Sequence, residues 1–270
     1  MIVFIPWVGL LDVTILALPQ SVSRLDHSRQ VFQLKDYVPP DVPPIPRGRL
    51  PGGGPRAYVP PADSRIPDQD HSGGGVRGCG DEIVAIAPRL SVMGRTGSTH
   101  PTLVWHSQSD DHEFLELQLY RYRSGNGNIF EEVLIEPIEA TAGTQGYMSY
   151  TLPQDEPGLQ VGETYLWQVV QYCDPNFEEV GMVTSADIEV VPIPAEMTSE
   201  LSGDSVDNAR VFAKFGLWYE AITAVYDANT PAAESLRQDL LHDLLTIEAN
   251  TESDETEEIV EQLSELVDMP

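Results

Sequence analysis

The residues in this chain best suited to chemistry are acidic. Asp110-Asp111-His112-Glu113 sets three carboxylates and an imidazole in consecutive positions, with His106 and His100 upstream. Oxygen donors beside a histidine suit Ca²⁺, Mn²⁺ or Zn²⁺. The same four residues also read as a solvated acidic turn between two strands. Glu131-Glu132 with Glu136 and Glu139 could imitate the carboxylate pair of a glycosidase. Neighbouring residues on a strand point to opposite faces, which argues against Glu131 and Glu132 flanking one bond. Cys79, with His71 upstream, would need a free thiolate to act as a nucleophile. No Gly-x-Ser-x-Gly, His-Glu-x-x-His or Walker pattern occurs. The residues therefore point to no catalytic set and no cofactor, and the chain is expected not to be an enzyme.

Charge restricts the partners. The chain has 270 residues, 43 Asp and Glu against 15 Lys and Arg, and a formal net charge of -28. Nucleic acid is excluded as an expected partner, because phosphate binding needs clustered cations. Anionic lipid surfaces are disfavoured for the same reason. The charge is unevenly spread: residues 1–80 carry 8 basic and 7 acidic groups, whereas 81–270 carry 7 and 36. An acidic surface calls for a basic partner or one bridged by divalent cations.

The N-terminal third sets the compartment. Ile2 to Leu18 is mostly apolar but broken by Pro6, Asp12 and Thr14, and it falls short of a span of ~20 residues. It reads as a secretory signal over 1–23, with Ser21 and Ser23 at the small positions before cleavage, although no Lys or Arg precedes it. The alternative is a buried helix or strand. No integral membrane span is expected once the signal is removed. Ten prolines fall within 36–70, beside Gly52-Gly53-Gly54 and Gly73-Gly74-Gly75. Residues 24–75 therefore read as a largely disordered linker in extended and polyproline conformations, carrying Arg47, Arg49, Arg56 and Arg65, with Arg77 just beyond. Its simplest role is a solvated spacer; the alternative is an arm that touches polyanions.

From 76 to 193 the pattern is that of strands. Seven are predicted, over 82–87, 101–106, 113–123, 129–136, 147–152, 163–173 and 181–191. In the third, Leu115, Leu117 and Leu119 share one face, with Glu116, Gln118 and Tyr120 opposite. Ser124-Gly125-Asn126-Gly127-Asn128 is a hairpin turn signal. Strands with turns between and no helix argue for a sandwich. Leu159, Gly162, Tyr165 and Trp167 resemble the start of strand F in fibronectin-type-III domains, where the tyrosine hydroxyl bonds back to upstream backbone. Trp105 falls in the second strand, where such a fold places a core tryptophan. In that seven-strand, immunoglobulin-like order Cys79 and Cys173 lie at the same end. An even cysteine pair in an exported chain then reads as a disulfide.

The period turns helical after 204. Asp204 or Ser205 can cap a helix through Phe215, Gly216 breaks it, and a second helix runs from about Leu217 to Ala228. Gly216, Trp218 and Ala221 sit as in half of a tetratricopeptide repeat. A third helix follows Thr230-Pro231, completing a hairpin region over 204–250. The acidic tail, 251–270, has a helical apolar pattern over 254–267. Its run from Glu252 to Glu258 suits a solvated helix start better than a loose Ca²⁺ site.

Together these residues resemble the cyanobacterial envelope family known as domain of unknown function 928. The resemblance covers about 47–250. It rests on Arg47-Gly48, Pro51, Gly73 to Cys79, Ile83 to Pro88, Gly94-x-Thr96, Pro101 to Trp105, Val161-Gly162-x-x-Tyr165-x-Trp167, Cys173-Asp174-Pro175 and Gly216 to Ala221. The stretch before Gly73 departs from the family pattern, being long and carrying Asp63, Asp68 and Asp70, and Leu103 stands where a bulkier aromatic is usual. The resemblance implies an exported sandwich with a helical tail in the periplasm or at the cell surface. The expected role is a non-catalytic interaction or structural module with an unidentified envelope partner. The alternatives are an envelope enzyme acting on glycans, or a divalent-metal-binding structural domain centred on Asp110 to Glu113.

Overall fold

The computed structural model describes residues 83–90, 92–108, 114–123, 130–138, 141–142, 146–227, 229–251 and 256–269. All of them fall in one compact unit, 34–270. The expected signal and linker, Cys79, Asp110 to Glu113 and the 124–128 turn lie outside the described residues. The described chain is mainly β with a helical C-terminal part. Its strands are β1 (Ile83–Ala85), β2 (Gly94–Thr96), β3 (Thr102–Ser107), β4 (Leu115–Tyr122), β5 (Phe130–Ile138), β6 (Thr141–Ala142), β7 (Tyr147–Thr151), β8 (Thr164–Tyr172) and β9 (Val180–Val190). Five helices follow: α1 (Ala195–Glu200), α2 (Ser205–Lys214), α3 (Trp218–Thr223), α4 (Pro231–Ala249) and α5 (Thr256–Asp268).

Two sheets share one core. The first has the order β1-β3-β7-β6 and the second β2-β9-β8-β4-β5. Alternation along the strands sends Trp105, Met148, Leu115, Leu117, Leu119, Trp167, Val169, Ala186 and Ile188 into that core, each at most 1% exposed. The Ala85 amide donates to Thr184 Oγ1 at 2.8 Å, a polar bond between the sheets.

Each of the seven expected strand regions contains a strand, but the described residues hold nine. β2 pairs in parallel with β9, Gly94 opposite Ile188 and Thr96 opposite Val190. β6 pairs with the middle of β7. Strands of three and two residues are too short to show alternation, so tertiary pairing alone defines them. The first strand is shorter than expected, because pairing with β3 ends at Ala85 opposite Trp105. A single further bond, Ile86 N–H to the Val104 carbonyl at 3.0 Å, follows it.

The helix boundaries follow local chemistry. Asp204 caps α2 by accepting from the Val206 and Asp207 amides at 2.9 and 3.0 Å. Gly216 ends that turn at φ 74°, a conformation a side chain would strain. Thr230 caps α4, with Pro231 at the first helical position. The helix expected to reach Ala228 stops at Thr223 and continues as turns through Asp227. The short helix α1 carried no helical period in the sequence; it buries only Met197.

The turn into β8 has its own lock. The Gln160 amide donates to the Tyr165 hydroxyl at 2.9 Å, and Leu159 is buried beside it. Gly162, at φ 89°, donates its amide to the Val190 carbonyl at 2.7 Å. Replacing Tyr165 with Phe strands the Gln160 N–H. We expect a loss of about 1 kcal/mol. Urea unfolding should show a lower midpoint with an unchanged slope.

Candidate functional site

The helices meet the strands through buried polar side chains. Trp218 Nε1 donates to the Ile86 carbonyl at 2.8 Å. Trp167 Nε1 donates to the Tyr219 hydroxyl at 2.7 Å, and that hydroxyl donates to the Asp187 carbonyl at 3.0 Å. The approach is close enough that a Cβ on Gly94 would lie 2.8 Å from Tyr219 Cε2. Arg237, 1% exposed, donates to the Tyr226 carbonyl at 2.9 Å and sits 4.8 Å from the centre of the Tyr147 ring.

Two carboxylates from the helices hold backbone amides of the strand-connecting loops. Glu220 Oε1 accepts from Thr96 Oγ1 at 2.7 Å, the Gly97 amide at 2.8 Å and the Ser98 amide at 3.0 Å. Glu248, wholly buried, accepts from the Arg89 amide at 2.6 Å and the Leu90 amide at 3.0 Å. α5 adds a third tie, with Gln262 accepting from Arg89 Nη2 at 3.1 Å. Burial pushes the Glu220 carboxyl above its ordinary 4.5, against the pull of its three donors.

Among the described residues the acidic candidates of the sequence do not converge. Glu131 is clasped by Arg121 and by Arg123, the latter at 2.7 Å. The hydrogen bond from Arg123, then that from Arg121, pulls its pKa down to about 2. Glu136 accepts from the Tyr150 hydroxyl at 3.1 Å, while burial and that carboxylate push the tyrosine up to about 12. His106 is buried edge-on against Tyr147, whereas His100 contacts Thr99 and the Glu156 carbonyl in a surface turn. Among the described residues no group of three or more His, Cys, Asp and Glu could hold a metal ion, and Asp110 to Glu113 and Glu139 lie outside them. Cys173 is disulfide-bonded.

The structure also buries the polar face that alternation placed opposite Leu115, Leu117 and Leu119. On the outer side of the second sheet Gln118 lies opposite Gln168, which in turn faces Ser185, and Tyr120 lies opposite Leu166, which faces Asp187. Glu116 accepts from Gln118 Nε2 at 2.8 Å and from the Tyr172 hydroxyl at 3.1 Å. The Tyr120 hydroxyl donates to Gln118 Oε1 at 3.0 Å, and that of Tyr122 to Asp187 Oδ1 at 2.7 Å. Gln118, Gln168 and Asp187 are 1%, 0% and 1% exposed. The density of Gln and Tyr at alternate positions was the available signal, but alternation cannot say whether a second face is covered.

The family model described as Domain of Unknown Function (DUF928) matches residues 72–260. The chain belongs to that family. No curated protein matches it.

Glu220 gives a pH test. Its folded-state pKa is raised, so between 4.5 and that value the folded chain holds more protons than the unfolded one. Its contribution to stability is therefore larger at acid pH and falls as pH rises through the window. We expect Glu220→Gln to flatten this slope while keeping an acceptor for Gly97 and Ser98. Glu220→Ala should cost about 1–2 kcal/mol by taking the shared acceptor from Thr96, Gly97 and Ser98. Denaturant titrations between acid and neutral pH would check both.

Proposed function

We propose that this chain is a non-catalytic, exported interaction or structural module of the cell envelope. The observation that favours this over a glycan-cleaving enzyme is the use made of the candidate carboxylates. A glycosidase acid needs a raised pKa and an open partner carboxylate. Glu131 is instead held at about 2 by two guanidinium groups, and Glu136 is engaged by Tyr150.

The strand order supports an immunoglobulin or fibronectin-type-III-like reading. Calling β1, β3, β7 and β6 strands A, B, E and D, and β2, β9, β8, β4 and β5 strands A′, G, F, C and C′, reproduces that arrangement. The Tyr165 bond to Gln160 fits its tyrosine corner, and the Gly216 turn between α2 and α3 fits a repeat-like hairpin. The oxidised state of Cys173 supports export, since disulfides persist in oxidising compartments. Pairing with Cys79 would close a loop of about 95 residues and stabilise the fold by roughly 4–5 kcal/mol. The acidic surface favours a basic or cation-bridged partner in the periplasm or at the cell surface.

The test is fractionation of cells with N-terminal sequencing and thiol labelling. The reading expects a cleaved N-terminus near Ser23 in the exported fraction and two cysteines that label only after reduction. An intact N-terminus in the cytosol with reactive thiols contradicts it. The same protein should melt at one temperature with or without EDTA, and a drop with EDTA would favour the metal-binding alternative.

A further inference from the structure

A sheet ends in strands whose outward amides and carbonyls can recruit extended chain. Three of the four edge strands here are short, and two of those are already engaged. In β1 the Ile86 amide that follows bonds to β3, so the Ala85 amide faces the other way and donates to Thr184 Oγ1 at 2.8 Å. β2 has α3 against it, with Tyr219 beside Gly94, and Glu220 takes the next amides, Gly97 and Ser98. β6 has two residues. β5 differs: it has nine residues, it is last in its sheet, and it exposes Val133.

Register fixes which groups of β5 face outward. The Tyr172 amide donates to the Phe114 carbonyl at 2.9 Å, so the backbone of Phe114 bonds toward β8. Alternation then turns the backbone of Leu115, Leu117 and Leu119 toward β5, where Ile138, Glu136 and Leu134 lie opposite. Ile135 and Pro137, opposite Gln118 and Glu116, therefore turn their backbone away from β4, at an edge no described strand occupies. A proline at that place costs its own sheet no bond and offers no donor to an added strand. Further along, Leu119 pairs with Leu134 and Tyr120 with Glu132, so Val133 has no counterpart on β4. Such a bulge bends and twists the edge. Glu132 and Glu136 add two exposed carboxylates.

We propose that β5 is a closed edge, at which Pro137, the Val133 bulge and the carboxylates of Glu132 and Glu136 keep the second sheet from adding a strand, from a peptide or from a second copy of this chain. Where the interaction-module reading above is adopted, on which this clause rests, the partner is engaged without extending the sheet. The Ile135 amide is the reporter of the closed state, since it lies mid-strand yet points away from β4.

The experiment is hydrogen exchange of the full chain, read at single amides by NMR. Leu134 and Glu136 should be protected by their bonds to β4, and Ile135 between them should exchange roughly a hundredfold faster. Protection of Ile135 equal to that of its neighbours overturns the proposal, because a strand then sits on the edge. A second readout removes Val133 and makes Glu132→Thr and Pro137→Thr together. The folded variant should associate as concentration rises, with Ile135 becoming protected in the associated form. A folded variant that stays as the unaltered chain does in light scattering, with Ile135 still exchanging fast, also overturns it. If the variant does not fold, the exchange pattern of the unaltered chain decides. Neither readout depends on export or on a partner, so failure here leaves the envelope reading to its own test.

Discussion

The joint between strands and helices rests on one fully buried carboxylate, Glu248, and one partly buried carboxylate, Glu220. Glu248 is wholly buried and binds two consecutive amides, and Glu220 binds two amides and a hydroxyl. A buried carboxylate is costly unless its lone pairs are met, and loop amides are costly unless something accepts from them. Each group meets the need of the other. Moving the helices off the sheets would strand both sets at once, so the contact favours one geometry strongly. Trp218 and Tyr219 extend the same logic, since each buries a ring while placing a polar atom on a backbone carbonyl of the strand layer or its loop.

This joint explains what was legible in the sequence. Local signals located elements well: Asp204, Gly216 and Thr230-Pro231 act through neighbours within four residues, so their roles are written in the chain. The alternation of Leu115, Leu117 and Leu119 likewise gave the inner face of β4. Features made by distant partners were not legible. β2 exists because β9 lies beside it, and the buried roles of Glu220, Glu248 and Arg237 depend on segments more than a hundred residues away or on another layer. An acidic residue on a helix looks solvated until the fold brings amides to it. Alternation put Gln118 and Glu116 on the face opposite the leucines but could not say whether that face is buried.

The acidic clusters that suggested chemistry have mostly structural explanations where they are described. Glu131 is neutralised by neighbouring arginines, and His106 packs on Tyr147 beneath the helical layer. On the tyrosine- and glutamine-bearing side of the second sheet the polar groups are buried and bond laterally to one another.

The central claim is that the strands and the C-terminal helices form one cooperative unit held by Glu220 and Glu248. Differential scanning calorimetry of the intact chain tests it most directly. The account predicts a single transition whose calorimetric and van't Hoff enthalpies agree, and which moves as a whole to lower temperature in Glu248→Ala. Two separable transitions, or a Glu248→Ala variant in which the helices melt and the strands keep their original melting temperature, would contradict it.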